Sequence, residues 1–144
     1  MVLRSITKSV AINRNPAEVF RFLADASNWP RWAIVNVLSV APAGEGWWDM
    51  RTPGGPAKLR IRAVEAYGLL DHDFVAPEAR WTVPARVVPN AGGAEFLITF
   101  FQPPPFTDEF FDQQVALVDK ELARLKEILE QPAEPGAAPD PARK

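Results

Sequence analysis

Near the C-terminal end of the chain, Phe111, Val115, Val118, Leu122, Leu125 and Leu129 recur at spacings of 4, 3, 4, 3 and 4. An α-helix of 3.6 residues per turn brings that period onto one face. The result is a single narrow apolar stripe of about five turns. Thr107 stands before it as an N-cap, and Asp108 and Glu109 fall in the first turn, where the helix dipole favours anions. Pro103-Pro104-Pro105 keeps whatever precedes from running into the helix. A stripe of this kind has to be buried against another element, and the preceding sequence shows which kind.

From Ile34 to Gln102 the pattern has the period of β-strands. Lys58 to Ala66 alternates, with Leu59, Ile61 and Ala63 on one parity and Lys58, Arg60 and Arg62 on the other. Around it lie Ile34–Val40, Trp47–Thr52, Leu69–Ala76, Arg80–Val88 and Glu95–Gln102. The turn sequences Ala-Pro-Ala-Gly-Glu-Gly, Pro-Gly-Gly-Pro, Tyr67-Gly68 and Pro-Asn-Ala-Gly-Gly separate several of them. Short turns between successive strands imply an antiparallel meander. Pro84 requires an edge position or a bulge. Ahead of the meander, Ser5–Asn13 reads as a further strand, with Ile6, Lys8, Val10 and Ile12 on one parity. Asn15-Pro16 opens a short helix with Val19, Phe20, Phe22 and Leu23 buried, and Ser27 opens a second around Trp29 and Trp32. The reading is one α+β domain over 1–130, with seven antiparallel strands. The Pro/Ala-rich stretch 131–144 is expected to be disordered.

Composition removes several function classes. The 144 residues include no cysteine and one histidine, His72, so no thiolate nucleophile, Cys-ligated metal or multi-histidine site can form. Sixteen Lys+Arg against eighteen Asp+Glu argue against bulk nucleic-acid binding, which needs a basic surface. No apolar run approaches the roughly 20 residues of a membrane span, and the charged N-terminus is unlike a signal peptide. A cytoplasmic location without stable membrane insertion is expected. Against few reactive groups stand five Trp and nine Phe.

The order strand, two short helices, six strands and a long helix resembles the helix-grip fold of the START/SRPBCC superfamily. In that fold a curved sheet wraps a C-terminal helix. The segment Asn15-Pro-Ala-Glu-Val-Phe-Arg-Phe-Leu-Ala-Asp, continued by Asn28-Trp-Pro-Arg-Trp, is similar to the start of bacterial polyketide cyclase/dehydrase-like members. Leu70-Asp-His-Asp and the closing helix fit as well, and the resemblance covers about residues 3–130. It implies a cavity between sheet and helix that holds small apolar or amphipathic ligands, in a family of which only some members are enzymes.

Pairing outward from a Tyr67-Gly68 turn sets Ala63 opposite His72, Ile61 opposite Phe74 and Leu59 opposite Ala76, with all of them facing inward. Arg62 then faces Asp73 on the outer side, and Glu65 shares the inward parity beside His72. An inward imidazole beside a carboxylate has the makings of a general acid–base on a ketone or enol. The plainer role for His72 is a hydrogen bond to a ligand or to a core hydroxyl. Trp29 and Trp32 share a face, suited to plugging a cavity mouth. Trp48 and Met50 are expected inward because Asp49 and Arg51 need water. Phe74, Trp81, Phe96, Phe100, Phe111, Val115 and Val118 would supply the remaining walls, unless they serve simply as core. Lys58, Arg60 and Arg62 read as a solvated face balanced by Asp71 and Asp73, and Arg86 as a surface residue.

Gly44-Glu-Gly and Gly54-Gly55 precede no helix and so are not phosphate loops, and no serine sits in a nucleophile elbow. The expected role is therefore binding or carrying a lipid- or polyketide-like molecule, without a cofactor or metal. The alternatives are a cyclase or dehydratase using His72 as acid–base and, third, a protein-interaction role, whose sign would be an exposed apolar patch. The second parity of Glu95–Gln102 carries apolar residues that would permit a homodimer.

Overall fold

The computed structural model describes residues 1–132, so the tail expected to be disordered lies almost wholly outside the described residues. Strand β1 (Ser5–Ile12) leads to helix α1 (Pro16–Ala24), whose Asn15 side chain accepts a hydrogen bond from the Ala17 backbone N–H at 2.8 Å. Asp25 caps a 3-10 turn (Ala26–Asn28) in the same way, and the one-turn helix α2 (Trp29–Trp32) follows. The meander comprises β2 (Ser39–Gly44), β3 (Trp47–Thr52), β4 (Gly55–Val64), β5 (Leu69–Ala76), β6 (Ala79–Val83), β7 (Ala85–Asn90) and β8 (Gly93–Phe101). Helix α3 (Asp108–Glu130) closes the described chain, with Thr107 Oγ1 accepting from the Phe110 N–H as its cap.

The strands form one antiparallel sheet in the order β1-β8-β7-β5-β4-β3-β2, with β6 paired to β5 beside that path. This is the helix-grip arrangement. The expected strand Arg80–Val88 is divided at Pro84, which has no N–H to give a ladder, and its halves pair differently. The expected strand Ile34–Val40 instead begins at Ser39, and residues 34–36 form a turn. Proline 42 lies within β2 without penalty because β2 is the sheet edge. The turn contracts to Gly44-Glu45-Gly46, all three at positive φ.

The β4–β5 connection departs from the two-residue hairpin. Glu65–Tyr67 form a 3-10 turn closed by Gly68 at φ 63°. Pairing is therefore displaced by two residues: Ile61 faces His72, Leu59 faces Phe74 and Ala63 faces Leu70. A two-residue displacement leaves every side chain on its own face, so the inward set survives the register change. Gly68 is required here for two reasons. Its φ lies where side chains are strained, and a Cβ would stand 2.0 Å from the Val87 carbonyl oxygen.

Helix α3 is tied along β1. Arg4 pairs with Asp112 at 2.6 Å and Lys8 with Asp119 at 3.2 Å. At the other end Lys126 donates to the Ala11 carbonyl, and Arg14 donates to the carbonyls of Leu129 and Gln131. The inward position of Lys8 is thereby explained as an anchor for the helix. Val118, Leu122 and Leu125 join Leu23, Trp29, Trp32, Met50, Leu59, Leu70 and Phe96 in one buried core.

Candidate functional site

His72 lies near the middle of the concave face and is 2% exposed. Its Nδ1 lies 2.9 Å from the Leu70 carbonyl oxygen, which can only accept, so Nδ1 carries the ring proton and Nε2 holds the lone pair. Burial pushes the imidazole down to about 4, against smaller opposing effects from the Leu70 hydrogen bond and the carboxylates of Asp71 and Asp73. The ring is neutral at pH 7. Trp29 meets it edge-on at 4.9 Å and Phe74 at 5.3 Å, and Trp29 also contacts Trp32 at 5.2 Å. Trp32 in turn meets Phe96 at 6.2 Å. Trp29 and Trp32 are thus buried within the aromatic cluster rather than set at its mouth.

The indole N–H of Trp29 donates to the Leu23 carbonyl at 2.8 Å. The Nε1 of Trp32 is buried and has no partner among the described residues. Phe74 and Trp81 are cross-strand partners stacked at 5.3 Å, and Trp81 is 44% exposed at the rim. The register sets Trp48, Leu59, Phe74 and Trp81 in one row across the concave face. Met50 is buried, and Trp48, Ile61 and Phe100 are half-buried against the core. Phe111, Val115 and Val118 are buried on α3.

Two expected members stand apart. Ala63 is exposed near the end of β4. Glu65 does not face inward; the 3-10 turn carries it to the surface, where it pairs with Arg21 at 3.2 Å. Among the described residues, no carboxylate hydrogen-bonds His72 in the way expected of Glu65. The charges of β4 and β5 lie on the outer face. Asp73 accepts from Arg60, Arg62 and Thr82. Burial raises its pKa, but these three donors outweigh burial and hold the carboxyl below its ordinary value. Arg62 sits opposite Asp71 and reaches Asp73 diagonally. Asp71 accepts from the Ala85 N–H, and Arg86 is exposed and donates to the Tyr67 carbonyl. A recess of about 600 Å³ on the outer face is lined in part by Trp47, Lys58, Val75 and Arg80, away from the aromatic cluster.

A family model described as "Polyketide cyclase / dehydrase and lipid transport" matches residues 4–130. The chain belongs to this family. Solved structures with the same fold include Ara h 8.0201, with 15% identity and a TM-score of 0.65 over 88% of this chain and 97% of that one. The Aha1 dimer from Colwellia psychrerythraea shares 15% identity, with a TM-score of 0.70 over 92% of this chain and all of that one. The di-domain ARO/CYC BexL of the BE-7585A biosynthetic pathway shares 18% identity, with a TM-score of 0.69 over 87% of this chain and 46% of that one. A search of curated protein sequences found no match.

This member of the polyketide cyclase / dehydrase and lipid transport family carries one buried acid that the sequence reading passed over. Glu121 on α3 accepts from the backbone N–H of Val35 and Asn36 and from the Asn36 side chain, at 3.0–3.2 Å. Burial pushes its carboxyl up, against those hydrogen bonds. It also helps to hold the turn at residues 34–36, since the N–H groups of Val35 and Asn36 point to the helix instead of a neighbouring strand. A signal was present: Glu121 is three residues after Val118 and four before Leu125, a charge on the shoulder of the apolar stripe. Among the described residues no group of acids and histidine is arranged to hold a metal ion, and no helix is long and apolar enough to cross a membrane.

Proposed function

We propose that the chain binds and carries a small apolar or amphipathic molecule, lipid- or polyketide-like, on the concave face of the sheet beside α3. The observation that carries this reading is the aromatic row Trp48, Phe74 and Trp81, which leads from an exposed rim to the buried cluster around His72. Helix α3 makes its extended contacts with β1 and α2, and on the β3–β6 half of the same face Trp48 and Phe74 are half-buried and Trp81 is exposed. Large aromatics left half-buried on such a face are what an apolar ligand would cover. Membership of a family described by polyketide chemistry and lipid transport agrees with this class of ligand.

The competing reading makes His72 a general acid–base in a cyclase or dehydratase. An imidazole titrating near 4 is a weak base at neutral pH, and its Nδ1–H is already committed to Leu70. A binding role therefore asks less of it. Native mass spectrometry of freshly purified protein is expected to show an adduct mass that is lost on denaturation. Titration with 1-anilinonaphthalene-8-sulfonate should give saturable fluorescence, weakened about fivefold or more by Phe74→Asp. A bare protein mass together with no saturable dye binding would overturn the proposal. His72→Ala should keep most of the affinity. A bound compound turned over by the native protein and not by that variant would make the chain an enzyme.

A further inference from the structure

We infer that the molecule held by this chain presents a neutral oxygen acceptor, a carbonyl or hydroxyl on an apolar skeleton, to the Nε1–H of Trp32. The inference rests on the ligand-binding reading above and narrows the chemistry of the ligand. Three ring N–H donors meet in one aromatic cluster. Trp29 gives its proton to the Leu23 carbonyl and His72 gives its Nδ1 proton to the Leu70 carbonyl. Trp32, 2% exposed, gives its proton to nothing among the described residues.

Buried donors are almost always paired, and buried tryptophan is placed where its N–H reaches a partner. The aromatic neighbours measured around Trp32 are the rings of Trp29 and Phe96, and neither offers an oxygen. An acceptor arriving with the ligand completes the set. It should be uncharged, because among the described residues no lysine or arginine stacks on the rings of Trp29, Trp32, His72, Phe74 or Phe96 and His72 is neutral, leaving a carboxylate unpaired.

Paired probes of one skeleton test this: 9-fluorenone, which carries a carbonyl, and fluorene, which does not. Binding to the full chain is followed by tryptophan fluorescence, and the indole N–H resonances by ¹H–¹⁵N NMR. Fluorenone is expected to bind about tenfold more tightly than fluorene, although hydrophobicity alone favours fluorene. Trp32→Phe should erase that preference while keeping fluorene binding within about twofold. The Trp32 indole proton should move on adding fluorenone and stay in place on adding fluorene. That resonance decides the matter in the native protein if the variant fails to fold. Equal binding of the two probes with the Trp32 resonance unmoved by the ketone would overturn the inference and leave the ligand-binding reading standing. Binding of neither probe would count against that reading and remove the inference with it.

Discussion

At the scale of the residue, the environment of His72 makes a pH-dependent prediction. In an unfolded chain the imidazole titrates near 6.5, whereas in the fold it titrates at about 4. Between those values the unfolded state takes up a proton that the folded state refuses. The stabilisation from neutral, buried His72 is therefore complete above about pH 6.5 and is lost as the pH falls toward 4. Its size is roughly 3 kcal/mol. Asp73 acts with the same sign at lower pH, because its Arg60, Arg62 and Thr82 partners favour the ionised form. The urea midpoint is expected to fall from pH 7 to pH 4.5, and to fall clearly less in His72→Phe. An equal fall in both proteins would show that the imidazole is not the group responsible. The inward direction of His72 was legible in the sequence because parity is a local property. The loss of Glu65 from its side was not, since that depended on how a three-residue turn closes on Gly68.

At the scale of the element, the α2–β2 connection shows how a distant residue overrides a local pattern. Ile34–Val40 has strand-like composition, yet Val35 and Asn36 give their N–H groups to Glu121, some 85 residues away in sequence. Glu121→Ala strands the Val35 N–H, leaves the Asn36 N–H only its Ala33 carbonyl partner, and should cost about 1–3 kcal/mol. Hydrogen exchange at Val35 and Asn36 should accelerate well beyond any change at Ile61 or His72 in the central sheet. Uniform acceleration across the protein would mean that Glu121 supports the fold generally rather than holding this turn. The ends of the two longer helices, by contrast, follow local rules: Asn15 and Thr107 cap as their side chains suggest, whereas the second short segment is capped by Asp25 and not by Ser27. The hairpin register moved by two residues and the division at Pro84 added a strand; Leu59, Ile61, His72 and Phe74 kept their common face, while Glu65 left it with the 3-10 turn.

At the scale of the whole molecule, one core joins the sheet, the two short helices and α3. Leu125, fully enclosed on α3, packs into the same cluster as Leu59 and Leu70 of the sheet and Leu23 of α1. Leu125→Ala is expected to cost about 2–5 kcal/mol, read as a lowered midpoint in chemical denaturation. Phe110→Ala, at a half-exposed site on the same helix, should cost less than about 1 kcal/mol. Similar losses at the two sites would contradict a stripe buried on one side only. Strand alternation, helix caps, proline breaks and the apolar stripe were all determined by the sequence, because each depends on neighbours a few residues apart. The seating of α3 along β1, the clasp made by Glu121 and the enclosure of the Trp32 indole without an acceptor were decided only by the tertiary structure. Each is set by groups far apart in the chain, which the packed core brings within hydrogen-bonding distance or, for Trp32, leaves without a partner.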